Sequence, residues 1–401
     1  MKIRIVYFMI PLVIGITASI TGFSLVWRLF ILSLFIFLVS YLWTILVLRG
    51  IRVEIKRLPA KTQVGQTIEN RIELVNPNRV PRLMLNLKEI SNVPGYTNEF
   101  ITNLSPYQSL PTKTRVLFPR RGQYSLGSYQ LTSGDPLGLF KTSRSFGTLQ
   151  EIVVYPATLE LPFFDPLHFL NPGFGPGRWV SPQSSTNVSS IREYASGDSL
   201  KHVHWRTTAH SSKMMVKVYD PDRSQNSAKN IWVVCDMQAD VQAGHDFEST
   251  EEYGITVAAS IVKKYIEQAW PLGLITQAEK PYHFPVESGS QHLETIYSAL
   301  AVMQARGKMP LEQLLINESG HFDLNAMTVV ITPSWNEKLV RTLLQIKRQQ
   351  GIVVAILLDR GTFGERGSMS NIPTVLQANG VQVYIIKNGD NLDMAMDSRK
   401  L

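Results

Sequence analysis

The sequence predicts a membrane helical hairpin followed by an antiparallel β-sandwich and an α/β domain. Residues 5–27 and 29–48 carry no charge, and each stretch is long enough to cross about 30 Å of hydrocarbon. Between residues 51 and 160, short runs alternate apolar and polar residues and are separated by turn-forming residues. From residue 229 onward, buried-strand patterns alternate with amphipathic-helix patterns, which favours a mostly parallel sheet covered on both faces.

Residues 1–50 are predicted to be a two-helix transmembrane anchor that turns between residues 21 and 28. Lys2 and Arg4 precede the hairpin, four basic residues follow it between 49 and 57, and Arg28 is the basic residue between the spans. Basic residues are enriched on the cytoplasmic side, so this distribution predicts a multi-pass protein of the cell membrane with cytoplasmic soluble domains. A cleaved signal peptide is disfavoured because a second apolar stretch follows at once.

Residues 51–160 form the predicted sandwich. Several short strands without helices between them are typical of that architecture. The alternating runs are 51–57, 67–74, 83–90, 114–118 and 124–131.

Residues 161–228 are predicted to be a Pro/Gly-rich linker followed by a charged segment. The aromatic residues of the linker, Phe163-Phe164 among them, are expected to pin it across a domain face. Residues 173–177 are rich in glycine, but no lysine or helix start follows, which disfavours a phosphate-binding loop.

Residues 229–390 form the predicted α/β domain, with any site at the carboxyl ends of its strands. Residues 391–401 are predicted to be a polar tail. The predicted strands are 231–236, 272–276, 327–332, 352–358 and 381–386. The predicted helices are 251–268, 293–305, 311–316, 337–350 and 373–378.

Composition limits the classes of partner. The net charge is +8, but residues 1–57 carry seven Lys and Arg residues against one Glu, a net charge of +6 that flanks the apolar segments. The remaining +2 is too little for a nucleic-acid surface. Cys235 is the single cysteine, which excludes an intramolecular disulfide and a cysteine-rich zinc site. No cofactor is expected.

No other segment is as dense as residues 191–220 in groups that could bind or react. Asp198 is predicted to be the N-cap of a short helix ending near Ala209, followed by a strand over 214–219. This segment is the predicted partner-binding or interdomain site. Its candidate residues are Arg192, Glu193, Tyr194, Gly197, Asp198, Lys201, His204, Trp205, Ala209 and His210.

The pattern Arg-Glu-Tyr over 192–194, Gly-Asp over 197–198, a basic residue, Trp205 and Ala209 resembles the signature of the bacterial domain of unknown function 58 family. Residues 121–124 and 135–140 resemble the same family, which usually has arginine where this chain has His210. The resemblance implies a partnership with MoxR-type AAA ATPases and membrane transglutaminase-like proteins. It therefore favours a membrane-anchored, non-enzymatic adaptor or assembly factor.

The α/β half resembles a von Willebrand A domain, a Rossmann-type fold whose metal site uses Asp-x-Ser-x-Ser after the first strand. The matching positions are Asp236, Gln238 and Asp240, so both serine hydroxyls are missing. Ser334 follows a later strand without the expected aspartate. Magnesium demands a near-ideal octahedron, so a working metal site is not expected, and Asp236 is expected to cap its loop.

A second function class is a membrane-bound, metal-dependent hydrolase that uses Asp198, His202, His204 and Asp236. On a helix, His202 and His204 would point about 200° apart and could not share one ion. Glu193 and Asp198 are a close acidic pair, but each has a basic neighbour that could neutralise it, which favours structural ion pairing. An interdomain latch and a partner-binding surface both remain open for this segment.

Overall fold

The computed structural model describes residues 2–3, 9–56, 58–166, 188–194, 203–211, 213–219, 230–322, 326–350, 352–365 and 371–398. The chain divides into two compact units, Met1–Ala157 and Thr158–Leu401. The finer division into five segments stays a prediction.

The first unit begins with strand β1 (Lys2–Ile3) and two apolar helices, α1 (Met9–Thr21) and α2 (Ser24–Val47). The chain reverses at Gly22, whose φ of 66° is accessible to glycine without strain. The 24 residues of α2 span about 36 Å, whereas the 13 residues of α1 span about 20 Å.

Within the described residues, α2 is the one helix long and apolar enough to cross a membrane. This corrects the predicted pair of full-length spans. The predicted turn over 21–28 is also too long, because α2 already begins at Ser24 and contains Arg28.

The carboxyl-terminal part of α2 packs on the strands that follow. Phe37 and Tyr41 meet Phe140 edge-on, with ring centroids 6.1 and 5.8 Å apart. The buried guanidinium of Arg82 donates hydrogen bonds to the carbonyl oxygens of Leu46 and, at 2.8 Å, Arg49. Carbonyls at a helix end lack the i+4 donor of the helix interior, and by bonding to them Arg82 fixes the end of α2 to the strands.

Ten further strands complete the first unit. They are β2 (Arg52–Ile55), β3 (Lys61–Gln63), β4 (Thr67–Val75), β5 (Arg82–Ile90), β6 (Glu99–Leu104), β7 (Ser109–Leu117), β8 (Gly122–Leu126), β9 (Ser128–Gly134), β10 (Phe140–Phe146) and β11 (Gln150–Tyr155). They form three sheets, with strand orders β1-β10-β9-β5-β6, β2-β4-β7 and β3-β11-β8. All pairings within them are antiparallel except that of β3 with β11.

The predicted strands over 67–74 and 83–90 are confirmed as β4 and β5, and one apolar cluster joins their inward residues, including Leu74 and Leu87. The run predicted as one strand over 124–131 is two strands, because Gly127 has a φ of 92°. Strands β3, β6, β10 and β11 were not predicted.

A buried carboxylate organises the interior of this unit. Glu89 is 5% exposed and accepts hydrogen bonds from Asn70 at 2.8 Å, Tyr96 at 2.8 Å and Asn98 at 3.0 Å. Burial, together with the bond to Glu89, raises the pKa of Tyr96. Neutral donors therefore satisfy this carboxylate.

The second unit contains a six-stranded sheet built from β14 (Ile231–Cys235), β17 (Leu272–Gln277), β18 (Pro281–Glu287), β19 (Met327–Thr332), β20 (Ile352–Leu358) and β21 (Gln382–Ile386). The strand order is β18-β17-β14-β19-β20-β21, and the sheet is parallel except for the edge strand β18. Its helices are α4 (Thr250–Glu267), α5 (Ser290–Val302), α6 (Leu311–Asn317), α7 (Glu337–Gln350), α8 (Ile372–Ala378) and α9 (Leu392–Ala395). Two short strands, β15 (Gly244–His245) and β16 (Glu248–Ser249), precede α4.

All five predicted strands and all five predicted helices of this half are confirmed, the strands to within one residue. Within the six-stranded sheet, the strand that the sequence missed is β18, which contains Pro281 and Pro285. Proline removes a backbone donor, so it argues against a central strand but is tolerated at the edge position that β18 occupies.

The polar tail predicted over 391–401 is wrong for residues 391–398. Met396 is 1% exposed, and Ser398 is buried with its hydroxyl 2.5 Å from the Tyr384 hydroxyl. The same hydroxyl accepts a hydrogen bond from the backbone of Asp165 at 2.8 Å. A few apolar and hydroxyl side chains were enough to dock a segment that is polar on average.

At the described start of the linker, Phe164 packs as predicted, whereas Phe163 is 44% exposed. Phe164 is 1% exposed, and its ring centroid lies 5.2 Å from that of Tyr384 and 6.4 Å from that of Tyr265. The Lys264 ammonium donates to the carbonyl oxygens of Leu161 at 2.6 Å and Phe164 at 2.5 Å. The glycine-rich part of the linker lies outside the described residues.

Candidate functional site

The first candidate site lies at the carboxyl ends of β14 and β19. These two strands are neighbours in the sheet, and the chain leaves them toward opposite edges, β17 and β20. In such sheets a crevice opens where the strand order reverses, and ligands bind there. Asp236 directly follows the wholly buried β14, and Thr332 is the last residue of β19.

The carboxylate of Asp236 is held from both sides. The Thr332 hydroxyl donates to Oδ2 at 2.7 Å, and the Gln238 backbone N–H donates to Oδ1 at 3.2 Å. The Ser334 backbone N–H in turn donates to the Thr332 hydroxyl at 2.8 Å. Both oxygens of Asp236 thus already accept hydrogen bonds from the protein, as expected of a residue that caps its loop.

Burial sets the electrostatics of this site. It raises the pKa of Asp236, and hydrogen bonds from Thr332, Gln238 and Ser334 oppose that shift. The negative charge of Glu312, the second residue of α6, raises the pKa of Asp236 further. Burial and the neighbouring Asp236 also raise the pKa of the Cys235 thiol to about 12, which makes that cysteine unreactive.

Of the three positions predicted to match the metal site, the structure shows Gln238 in contact with Asp236 through its backbone, and Asp240 lies exposed on the 3-10 turn that follows, over Ala239–Val241. Thr332 and Glu312 were missed as partners of Asp236. The rule that carboxyl ends of neighbouring parallel strands meet could have identified Thr332, but nothing in the sequence indicates Glu312.

The charged segment forms a second candidate site, built on the two-stranded antiparallel sheet of β12 (Val188–Glu193) and β13 (Met215–Tyr219). The strand predicted over 214–219 is confirmed as β13. Val203, which lies between the two strands along the chain, forms an antiparallel bridge with Val216 of β13, and both side chains are 4% exposed.

The helix predicted from Asp198 to Ala209 is wrong over residues 203–204, which are extended. Helix α3 spans Trp205–Ser211. Nδ1 of His204 accepts from the Thr207 backbone N–H at 3.2 Å, which is the bond of an N-cap. His204 therefore has the capping role predicted for Asp198, and the helical argument against a shared His202–His204 ion does not hold.

Helix α3 presents its side chains outward. Trp205 is 67% exposed, and Arg206, Ala209 and His210 are also exposed. Thr208 fixes the helix to β13, because its hydroxyl accepts from the Met215 backbone N–H at 3.0 Å.

Glu193 at the end of β12 forms an ion pair with Lys213, which raises the pKa of the Lys213 amine. Both side chains are more than half exposed, so the pair contributes little to stability. Tyr194 is half-buried, and its backbone N–H donates to the Met214 carbonyl at 2.8 Å. The backbone of Arg192 belongs to β12.

Gly197, Asp198, Lys201 and His202 lie outside the described residues, as does the side chain of Arg192. Two members of the hydrolase cluster, Asp198 and His202, are therefore among the positions that the structure does not describe.

Residues 190–361 match the sequence profile of the family described as "Protein of unknown function DUF58". The segment 190–361 belongs to the DUF58 family. The resemblance found in the signature is thus confirmed. The match runs from β12 to the turn after β20, so it includes both candidate sites of this DUF58 chain.

One curated relative is the uncharacterized protein YeaD of Bacillus subtilis (strain 168), 22% identical over 270 residues. That alignment covers 67% of this DUF58 chain and 64% of the Bacillus protein, so the chain spans less than two thirds of its relative's length.

Three solved structures resemble parts of the chain. A beta-glucosidase from Listeria innocua matches 26% of this chain and 16% of its own, at 7% identity and a TM-score of 0.18. The CARDB domain of the PF1109 protein from Pyrococcus furiosus matches 26% and 92%, at 15% identity and a TM-score of 0.20. The complex of Zinc 2-glycoprotein and Prolactin inducible protein from human seminal plasma matches 25% and 92%, at 10% identity and a TM-score of 0.21. Scores this low carry no argument about this protein.

Proposed function

We propose that this DUF58 chain is a membrane-anchored, non-enzymatic adaptor whose signature segment docks a partner protein. The observation that carries the proposal is the exposure of Trp205, 67%, on a helix without a buried side chain. Trp and Arg are the residue types that most often dominate binding energy at protein interfaces, and here Trp205 is followed by an exposed Arg206.

The geometry around Trp205 suits a docking surface. The helix that carries Trp205 is hydrogen-bonded to β13 through Thr208 and capped by His204, so the backbone at Trp205 is held in place. Arg206 follows directly and is exposed. Preorganised side chains lose less conformational entropy on binding, which favours affinity. For this reason we prefer a partner-binding surface to an interdomain latch.

On the basis of the family resemblance, we propose a MoxR-type AAA ATPase as the class of partner, with a membrane transglutaminase-like protein as a second candidate. On the same resemblance, we propose that the first unit is an antiparallel β-sandwich and the second a degenerate von Willebrand A-like domain. The sheet order supports the second assignment: the first strand along the chain, β14, lies inside the sheet, and the third, β18, is the antiparallel edge strand. A non-enzymatic role agrees with Asp236, whose oxygens already bond to protein donors.

We further propose that α2, the one described helix long enough to cross the bilayer, anchors the chain in the cell membrane, with α1 folded back beside it and both soluble units in the cytoplasm. Basic residues flank the hairpin on both sides, and β1 before it pairs with β10 after it, so the chain enters and leaves on the same side.

Cysteine labelling tests this orientation. The buried thiol of Cys235 should remain silent toward a membrane-impermeant maleimide. We expect Ser143→Cys on β10 to be labelled in inside-out vesicles and protected in intact cells, and Phe23→Cys at the hairpin turn to show the opposite pattern. Labelling of both variants from one side would contradict an α2 helix that spans the bilayer.

The docking proposal is tested by co-purification. Full-length protein is extracted from its native membrane in mild detergent, with and without ATP, and its partners are identified by mass spectrometry. We expect an AAA ATPase whose retention depends on nucleotide and falls at least about 10-fold in Trp205→Ala. The melting temperature of that variant should stay within about 2 °C of the wild type, because an exposed side chain contributes little to folding.

Phe247→Ala is the matched control, since this aromatic residue is 55% exposed on the turn between β15 and β16. Its partner retention should equal that of the wild type. Equal retention by the wild type and Trp205→Ala would refute the signature as the docking surface. A wild-type protein that carries no AAA ATPase under either condition would refute the partner class.

A further inference from the structure

Two histidines and a glutamate from separate parts of the chain meet at the edge of the six-stranded sheet. His283 lies on the edge strand β18, Glu318 follows α6, and His321 ends a 3-10 turn over Ser319–His321. One ligand atom from each side chain lies within 4.8 Å of the other two. The rings of His283 and His321 are 5.0 Å apart between centroids, and Nε2 of His321 is 3.6 Å from Oε2 of Glu318.

Backbone structure fixes the relation between Glu318 and His321. The His321 backbone N–H donates to the Glu318 carbonyl at 2.9 Å, which closes one turn of 3-10 helix. In that geometry residues i and i+3 lie over one another, so both side chains project from the same side of the turn.

A buried aromatic pair holds the two histidines near each other. The Trp232 ring, 5% exposed, lies 5.7 Å from that of His283 and 6.0 Å from that of Phe322, the residue after His321. Phe322 is itself 4% exposed. The two imidazoles therefore stand on adjacent parts of one packed core, while their own side chains remain accessible to solvent.

The chemistry of this donor set selects a class of cation. Imidazole nitrogen and carboxylate oxygen together suit zinc and its neighbours among the transition metals, whereas calcium and magnesium prefer oxygen ligands. In a tetrahedral zinc site with bonds of about 2.1 Å, ligand atoms are about 3.4 Å apart. Exposed side chains can close the remaining distance by small rotations about their χ angles.

We propose that His283, Glu318 and His321 form a binding site for a divalent transition-metal ion of the zinc type. The three side chains supply three of four tetrahedral positions and leave the fourth to water or to a further ligand. A bound ion would tie β18, an edge strand, to the turn after α6. The site is independent of the signature surface and of Asp236, so it does not rest on the proposed adaptor function.

Zinc binding to the full chain in detergent tests the proposal. The protein is purified without a polyhistidine tag, stripped with a chelator, and titrated with zinc in competition with a chromophoric chelator. We expect one zinc ion per chain. His283→Asn, Glu318→Gln and His321→Asn should each weaken binding by more than the roughly 10- to 100-fold that loss of an outer-shell partner costs.

Thermal unfolding supplies a second readout. An ion that binds only the folded chain raises the melting temperature, by roughly 5 to 10 °C at 100 times its Kd for a unit of this size. We expect this increase in the wild type with zinc, and its loss in the three ligand variants. Calcium at the same concentration should leave the wild type unchanged.

His245→Asn is the matched control, because His245 is an exposed histidine on β15 outside this cluster. It should bind zinc as the wild type does. Equal zinc affinity in the wild type and all three ligand variants would overturn the site, as would a loss of binding in His245→Asn alone. A wild type whose melting temperature does not respond to zinc would overturn it as well.

Discussion

Replacing Asp236 by asparagine tests whether this buried carboxylate serves as a structural acceptor. The side chain is 5% exposed and accepts from Thr332 and Gln238. An amide of the same shape keeps the bond to the Gln238 backbone and can donate to the Thr332 hydroxyl oxygen, which has a second lone pair. Alanine leaves both donors without an acceptor.

The two substitutions should differ clearly in magnitude. Each buried donor left unpaired costs about 1–3 kcal/mol, so Asp236→Ala, which leaves two, should destabilise the second unit by about 2–6 kcal/mol. For a unit of more than 200 residues, that corresponds to a decrease of roughly 4 to 24 °C in melting temperature. Asp236→Asn should cost less than about 1 kcal/mol near pH 7.

The pH dependence has a definite sign. Burial raises the pKa of Asp236 above its ordinary 3.8, so the folded chain binds this proton more tightly than the unfolded chain does. The stability that the wild type gains from this group is complete below pH about 4 and is lost as the pH rises through the raised value. Asparagine does not titrate, so the stability of Asp236→Asn relative to the wild type should increase as the pH rises.

Thermal unfolding of the full chain in detergent, followed by tryptophan fluorescence from pH 5 to 8, measures this difference. Trp232 and Trp335 report on the second unit. The reasoning would be refuted if Asp236→Asn were as unstable as Asp236→Ala, with a deficit that grew toward pH 8. That result would mean that the native state needs the negative charge, as a cation site does.

Three further predictions concern stability and are measured by the same thermal unfolding. Gly307→Ala should destabilise the second unit, because a Cβ there would lie 2.1 Å from a backbone oxygen, whereas Gly320→Ala meets nothing within 4 Å and should be tolerated. Glu89→Ala should cost about 3 kcal/mol or more by leaving buried donors unpaired, whereas Glu99→Ala, at an exposed ion pair, should cost less than about 1 kcal/mol. Deleting residues 391–401 should lower the melting temperature. An unchanged melting temperature would mean that this segment is a solvent-exposed tail, as the sequence predicted.

Periodicity predicted most of the second unit because its strands have unambiguous patterns. The central strands β14, β19 and β20 are buried along their whole length, so their apolar runs could be recognised from the sequence. The edge strand β18 was missed because its prolines mimic a loop. In the first unit, β10 is mostly polar, so its sequence indicates no strand.

The candidate sites divide in the same way. The sequence placed Asp236 at a strand end and Trp205 in a charged segment, because both predictions depend only on local pattern. It misassigned the cap of α3, since the bridge between Val203 and Val216 keeps residues 203–204 extended against the helical preference of their neighbours. A long-range pairing can override a local propensity in this way.

By itself, the sequence determined the apolar helices, the alternation of strands and helices in the second unit and the DUF58 match. Each of these features depends on residues that are close together along the chain. Only the tertiary structure decided the partners of Asp236, the docking of the tail and the meeting of His283 with Glu318 and His321. Those contacts join residues separated by tens to hundreds of positions. Sheet order and packing select them, and neither can be deduced from local pattern.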